Sequence, residues 1–176
     1  MIRLKTKKEI ESMRKVGLIT RDVLLYIMDK IAPGVKTKKL DILAEEWLKR
    51  KNAVPAFKWY RGYPASICVS INDEVVHGIP ADRRIEEGDI VSIDIGVYYD
   101  GFYADAARTV GVGTISETAD RLIRVTEEAF WRGIGVIRDG ATVGDVSAEI
   151  QEYVEKNGFS VVREFVGHGI GSKMHE

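Results

Sequence analysis

The sequence predicts an α+β layer fold in which pairs of helices lie against antiparallel strands. Three observations carry that expectation. Capping signals followed by helically spaced apolar residues occur in two pairs of segments. Asp100-Gly101 separates two strand-like runs, the composition of a tight type I′ hairpin. The order helix, helix, strand occurs twice, with similar junctions in "IAPGVKTKKL" and "IRDGATVGDV". The first occurrence continues into a long hairpin and the second stops. This reads as an internal duplication within one domain, residues 1–113 forming a first half-repeat and 114–176 a partial second one.

Taken in order, Thr6 and Glu9 form a capping box for a first helix, with Ile10, Met13, Gly17, Leu24, Ile27, Met28 and Ile31 at helical spacing and Pro33-Gly34 as its stop. Thr37 is the expected cap of a second helix that carries Leu40, Leu43, Trp47 and Leu48 on one face. An aromatic loop, "AFKWYRGYP", leads into a strand over 66–71 and a turn at Asn72-Asp73. The hairpin follows, closed by Gly111 and Gly113. Ser116 caps a long helix from Glu117 to about Ile137, and Thr142 caps another over 143–157. "SVVREFV", 160–166, reads as a final strand.

A chain of 176 residues, 45% hydrophobic and 30% charged, can bury a substantial core. Its 26 basic and 27 acidic residues leave a net charge of −1, which argues against a dedicated nucleic-acid binder. The single cysteine, Cys68, cannot form an internal disulfide. The N-terminus is charged throughout and no apolar run is long enough to cross a membrane. A cytoplasmic protein without a membrane partner is the expectation.

Two aspartates raise the main question. Asp94 and Asp105 sit in strand-like runs that should exclude ionised carboxylates. With Asp100-Gly101 as the turn, Gly96 faces Asp105. Asp94 and Asp105 then share one face as diagonal neighbours, with space above Gly96. The other face carries Val91, Ile93, Ile95 and Val97, a core stripe. Close carboxylates repel unless a proton or cation lies between them, and two bridged divalent cations would satisfy the pattern. The alternative is a solvated face on which the aspartates pair with Arg108.

The three histidines are His77, His168 and His175. His168 lies between glycines in "GHGIG", where backbone can approach a ligand. Imidazole suits Zn, Fe, Co or Mn, although each histidine taken alone reads more readily as an ordinary turn residue, His77 and His175 above all. Phe57, Trp59, Tyr60 and Tyr63 either line an apolar pocket or cover a sheet edge. Cys68 has no partners for nucleophilic catalysis and reads as structural or as a pocket wall.

Together, "SINDEVVHGIP", "GDIVSIDIGVYYDGFYADAARTV" and "VGHGIGSKMHE" resemble the type I methionine aminopeptidases, metalloproteases of the pita-bread fold. The resemblance spans essentially the whole chain and includes "FKWYRGYPASICVSIN". It implies that Asp94, Asp105 and His168 are metal ligands, with Asp105 bridging two divalent ions of unspecified identity (Co, Mn, Fe or Zn). It implies that His77 contacts the reacting end of the substrate, and that His175 hydrogen-bonds the scissile peptide. Phe57, Tyr60, Tyr63, Cys68 and Met174 fall where the family lines its methionine pocket. The implied reaction is removal of initiator methionine from peptide or nascent-protein N-termini, by attack of metal hydroxide on the scissile carbonyl.

The family's two further ligands are glutamates on later strands, and the sequence ends at Glu176 before either. Glu176 belongs to the tail of the motif and is not a ligand on this reading. The expectation is therefore weak metal binding, low or absent activity, and self-association through an exposed sheet edge. Two other readings stand beside it. One is a proline-specific aminopeptidase or prolidase of the same fold, and the other is a non-catalytic binding module.

Overall fold

The computed structural model describes residues 3–176. They form two compact units: residues up to Ile115 together with Gly169–Glu176, and Ser116–His168.

The first unit begins with α1 (Lys7–Met28). Thr6 accepts from the backbone N–H of Glu9, and Glu9 accepts in return from the Thr6 N–H at 2.8 Å, completing the capping box. The helix stops at Met28, before Pro33-Gly34, and buries Val16, Thr20, Val23, Leu24 and Ile27. α2 (Thr37–Arg50) buries Thr37, Leu40, Ala44 and Leu48. Here the expected cap is corrected. Lys36 is the N-cap and contributes no side-chain bond, whereas Thr37 is the first helical residue. Its hydroxyl donates to the Ala81 carbonyl at 3.0 Å and accepts from the Ala81 N–H at 2.9 Å. A neighbouring loop has taken the side chain that local sequence assigned to the cap.

The sheet is antiparallel, with β3 (Ile90–Tyr99) at its centre. The short β1 (Val54–Pro55) and β2 (Ile67–Ile71) both pair with β3, and β4 (Phe102–Gly111) pairs along its full length. The β3–β4 turn is the expected hairpin. Asp100 and Gly101 have φ of 50° and 85°, as type I′ requires, and Tyr99 faces Phe102. Alternation then gives the sheet two chemically distinct faces. Ile67, Val69, Ile71, Val91, Ile93, Ile95 and Val97 join the buried residues of α1 and α2 in one core. The opposite face carries Cys68, Ser70, Ser92, Asp94, Gly96, Asp105 and Thr109.

The second unit contains α3 (Glu117–Gly135), capped by Ser116, and α4 (Val143–Lys156), capped by a Thr142–Asp145 box. Val125, Ala129 and Gly133 recur every fourth residue as the buried seam of α3. A Cβ on Gly133 would meet Ile150 at 2.9 Å, so glycine there permits the close approach of α4. The run 160–166 forms no strand and is mostly exposed. A strand needs a neighbouring strand in register along its length, and among the described residues no strand ladder includes this run.

Candidate metal centre and substrate pocket

The register builds the site from β3 and β4. Asp94 has Cys68 on one side and Ala107 on the other, and Asp105 stands opposite Gly96. The two carboxylates share a face as diagonal neighbours, as the hairpin spacing predicts. Asp94 is half-buried and Asp105 is exposed, so the expectation of two buried charges is corrected for Asp105. Arg108 pairs with Ile93 and so starts from the opposite, apolar face.

The expected space above Gly96 is filled. A Cβ there would lie 2.3 Å from Cε1 of Phe57, so the aromatic ring rests on the glycine beside the two aspartates. Phe57 introduces a strained loop. Trp59 and Arg61 are both left-handed, with φ of 67° and 48°, and the one-turn helix η1 (Tyr60–Gly62) lies between Phe57 and Tyr63. The Tyr63 hydroxyl faces the carbonyls of Ile67, at 3.1 Å, and Gly78, at 2.9 Å. Burial pushes the Tyr63 phenol well above its ordinary pKa. Burial also raises the Cys68 thiol to about 11, and the nearby Asp94 charge adds to that shift. Cys68 is therefore a buried thiol favoured in its protonated, unreactive form at neutral pH.

His77 lies exposed in the loop between β2 and β3, in a left-handed conformation with φ of 61°. Gly78 fixes that loop to β2: its carbonyl accepts from Val69 N–H at 2.9 Å, and its N–H donates to Ser70 Oγ at 3.1 Å. His175 is exposed, and its Nδ1 lies 2.9 Å from the Tyr60 hydroxyl. The two rings stack with centroids 5.6 Å apart. Met174 beside it is buried. His168 is exposed and is the last residue of the second unit.

Three supporting residues escaped sequence reasoning. Asp41 on α2 accepts from Ser66 N–H at 2.7 Å and Ile67 N–H at 3.2 Å, holding the start of β2 and hence Cys68. Burial raises its carboxyl pKa, against the lowering effect of those two bonds. Glu176 accepts from Ser172 N–H at 2.8 Å, from Ser172 Oγ at 3.0 Å, and from Lys5. Tyr103 N–H donates to Gly171 O at 2.7 Å, tying this terminal loop to β4. Asp41 and Tyr103 lie far along the chain from the groups they hold, as Glu176 does from Lys5, so no spacing in the sequence announces these partners.

Oxygen donors placed diagonally on one face of a hairpin suit a divalent cation in their chemistry. Among the described residues no group of three or more His, Cys, Asp or Glu is disposed to hold a metal ion.

Comparison with known proteins extends the pattern. Residues 11–176 match Metallopeptidase family M24. The chain belongs to that metallopeptidase family. It is 53% identical over 176 residues to a methionine aminopeptidase of Clostridium perfringens, covering 100% of this chain and 71% of that one. Its structure is similar to the crystal structure of methionine aminopeptidase from Rickettsia prowazekii, with a TM-score of 0.98, 44% identity, and coverage of 100% of this chain and 71% of that chain. A prolidase from Pyrococcus furiosus shares the fold at 27% identity and a TM-score of 0.88, with 98% of this chain and 50% of that chain covered. The architecture is the pita-bread fold, and the chain is a metal-dependent hydrolase by family.

Proposed function

We propose that this chain is a methionyl aminopeptidase whose divalent cations are held by Asp94, Asp105 and His168. The observation that carries the reading is the match to family M24 over residues 11–176, which includes two carboxylates on one face of the hairpin. The much higher identity to methionine aminopeptidases than to prolidases supports methionine over proline specificity.

The bound cations would supply Lewis acidity and an activated water near neutral pH. The chain's own residues do the rest. Asp94 and Asp105 provide the negative charge that retains the cations. Phe57, Tyr60, Tyr63, Cys68 and Met174 offer surface for a flexible methionine side chain, with the neutral thiol of Cys68 behaving as a small apolar group. His77 contacts the reacting end of the substrate, and His175 donates a hydrogen bond to the scissile peptide. We read residues 1–113 and 114–176 as belonging to the two halves of one internal repeat. We place the protein in the cytoplasm, where nascent N-termini emerge, and expect it to self-associate, an expectation that a clean monomer by light scattering would remove.

The test is release of methionine from a Met-Gly peptide with cobalt or manganese, a chelator control, and calorimetric titration of Mn²⁺. The 176-residue chain is compared with one extended to the length of its relatives. Chelator-sensitive release by either supports the aminopeptidase. Asp105→Asn should abolish both the heat of metal binding and turnover. If neither chain releases methionine while both bind the metal, the aminopeptidase reading fails and the binding-module reading takes its place.

A further inference from the structure

We infer that Tyr60 is the positioning residue for His175, fixing its tautomer so that Nε2 carries the proton. The inference rests on the role given to His175 above and adds to it the group that makes the role possible. The Tyr60 hydroxyl lies 2.9 Å from Nδ1, and the rings are stacked 28° from parallel. A phenol is the better donor of this pair and a neutral imidazole nitrogen the better acceptor, so Tyr60 donates and Nδ1 accepts. A neutral ring has one N–H, and with Nδ1 accepting, that N–H is on Nε2. His175 can then donate from Nε2 to a substrate carbonyl without first losing or gaining a proton.

Both backbones are held before any substrate arrives. Left-handed Trp59 and Arg61 bracket Tyr60, a conformation that bulky residues adopt only when their surroundings impose it. Trp59 N–H donates to Tyr63 O at 2.7 Å, closing the loop, and the Arg61 guanidinium lies 5.4 Å from the centroid of the Tyr60 ring. On the other side, Glu176 N–H donates to Gly169 O at 2.9 Å, while its carboxylate collects the amides of Ser172 and Lys173. Tyr60 is 36% exposed, so water could satisfy its hydroxyl, and burial alone does not account for the pairing. A strained loop aimed at one imidazole nitrogen accounts for it better than surface packing does.

The test is long-range ¹H–¹⁵N spectroscopy of the full chain at pH 8, in which the ring nitrogen shifts distinguish the two neutral tautomers from the imidazolium. The chain has three histidines, so His175→Gln assigns the signal. The expected result is a His175 Nε2–H tautomer in the native chain that becomes a tautomer mixture in Tyr60→Phe, with His77 unchanged. The phenylalanine keeps the ring and removes only the hydroxyl. Where turnover is measurable, Tyr60→Phe should lower kcat by roughly ten-fold with KM little changed, the scale of removing a second partner from a functional histidine. A native Nδ1–H tautomer, or a tautomer unmoved by Tyr60→Phe, overturns the inference even if turnover falls. The spectra need neither metal nor activity, so this failure is distinct from failure of the aminopeptidase reading.

Discussion

Gly78 shows how a single missing side chain positions a functional loop. Its Cβ would lie 2.2 Å from the Val69 carbonyl oxygen, a backbone atom of β2 that cannot step aside. Gly78→Ala should therefore unlatch the loop that carries His77 and destabilise the fold by about 1–3 kcal/mol, measurable by urea denaturation. Gly96 differs, because the atoms its Cβ would meet belong to the Phe57 ring, which can swing. Glu176 gives a pH dependence. Its bonds to Lys5 and Ser172 lower its carboxyl from an ordinary 4.5 to about 2. A depressed carboxyl favours the folded clamp fully above its unfolded pKa and loses that contribution as pH falls through the folded one. The terminal loop should stay clamped above pH 4.5 and loosen progressively towards pH 2. Amide shifts of Ser172 and Lys173 through an acid titration check this.

At the scale of elements, local chemistry decides most boundaries. α1 and α4 each begin with a reciprocal capping box, Thr6 with Glu9 and Thr142 with Asp145. Thr6→Ala removes the acceptor for the Glu9 N–H and should cost about 1 kcal/mol, seen as a lower thermal midpoint with an unchanged fold by circular dichroism. The hairpin register was legible because Asp100 and Gly101 leave one tight turn, and that turn fixes which residues share a face. The cap of α2 was not legible, since Thr37 is engaged by Ala81, which lies 44 positions away. The run 160–166 failed as a strand for the same class of reason: β-propensity cannot supply a pairing partner.

Across the whole molecule, burial is uneven. The core lies between α1, α2 and the apolar face of the sheet, whereas α4 has no fully buried residue. Regions with few buried apolar contacts open at lower free energy than the core. Amides of α4 should therefore exchange with deuterium well before those of β3. Equal protection in α4 and β3 would show a single cooperative unit, against the uneven burial.

The sequence by itself determined the helices, the caps of α1, α3 and α4, the hairpin and its register, the apolar stripe of β3, and the shared face of Asp94 and Asp105. Each follows from neighbours within a few residues or from the period of a strand. The motifs also point to the family. Only the tertiary structure decided that Phe57 covers Gly96, that Asp41 holds the start of β2, that Asp105 stays exposed, and that Tyr60 meets His175 across 115 positions of sequence. Such contacts depend on how distant segments close over the sheet, and no local pattern encodes that closure.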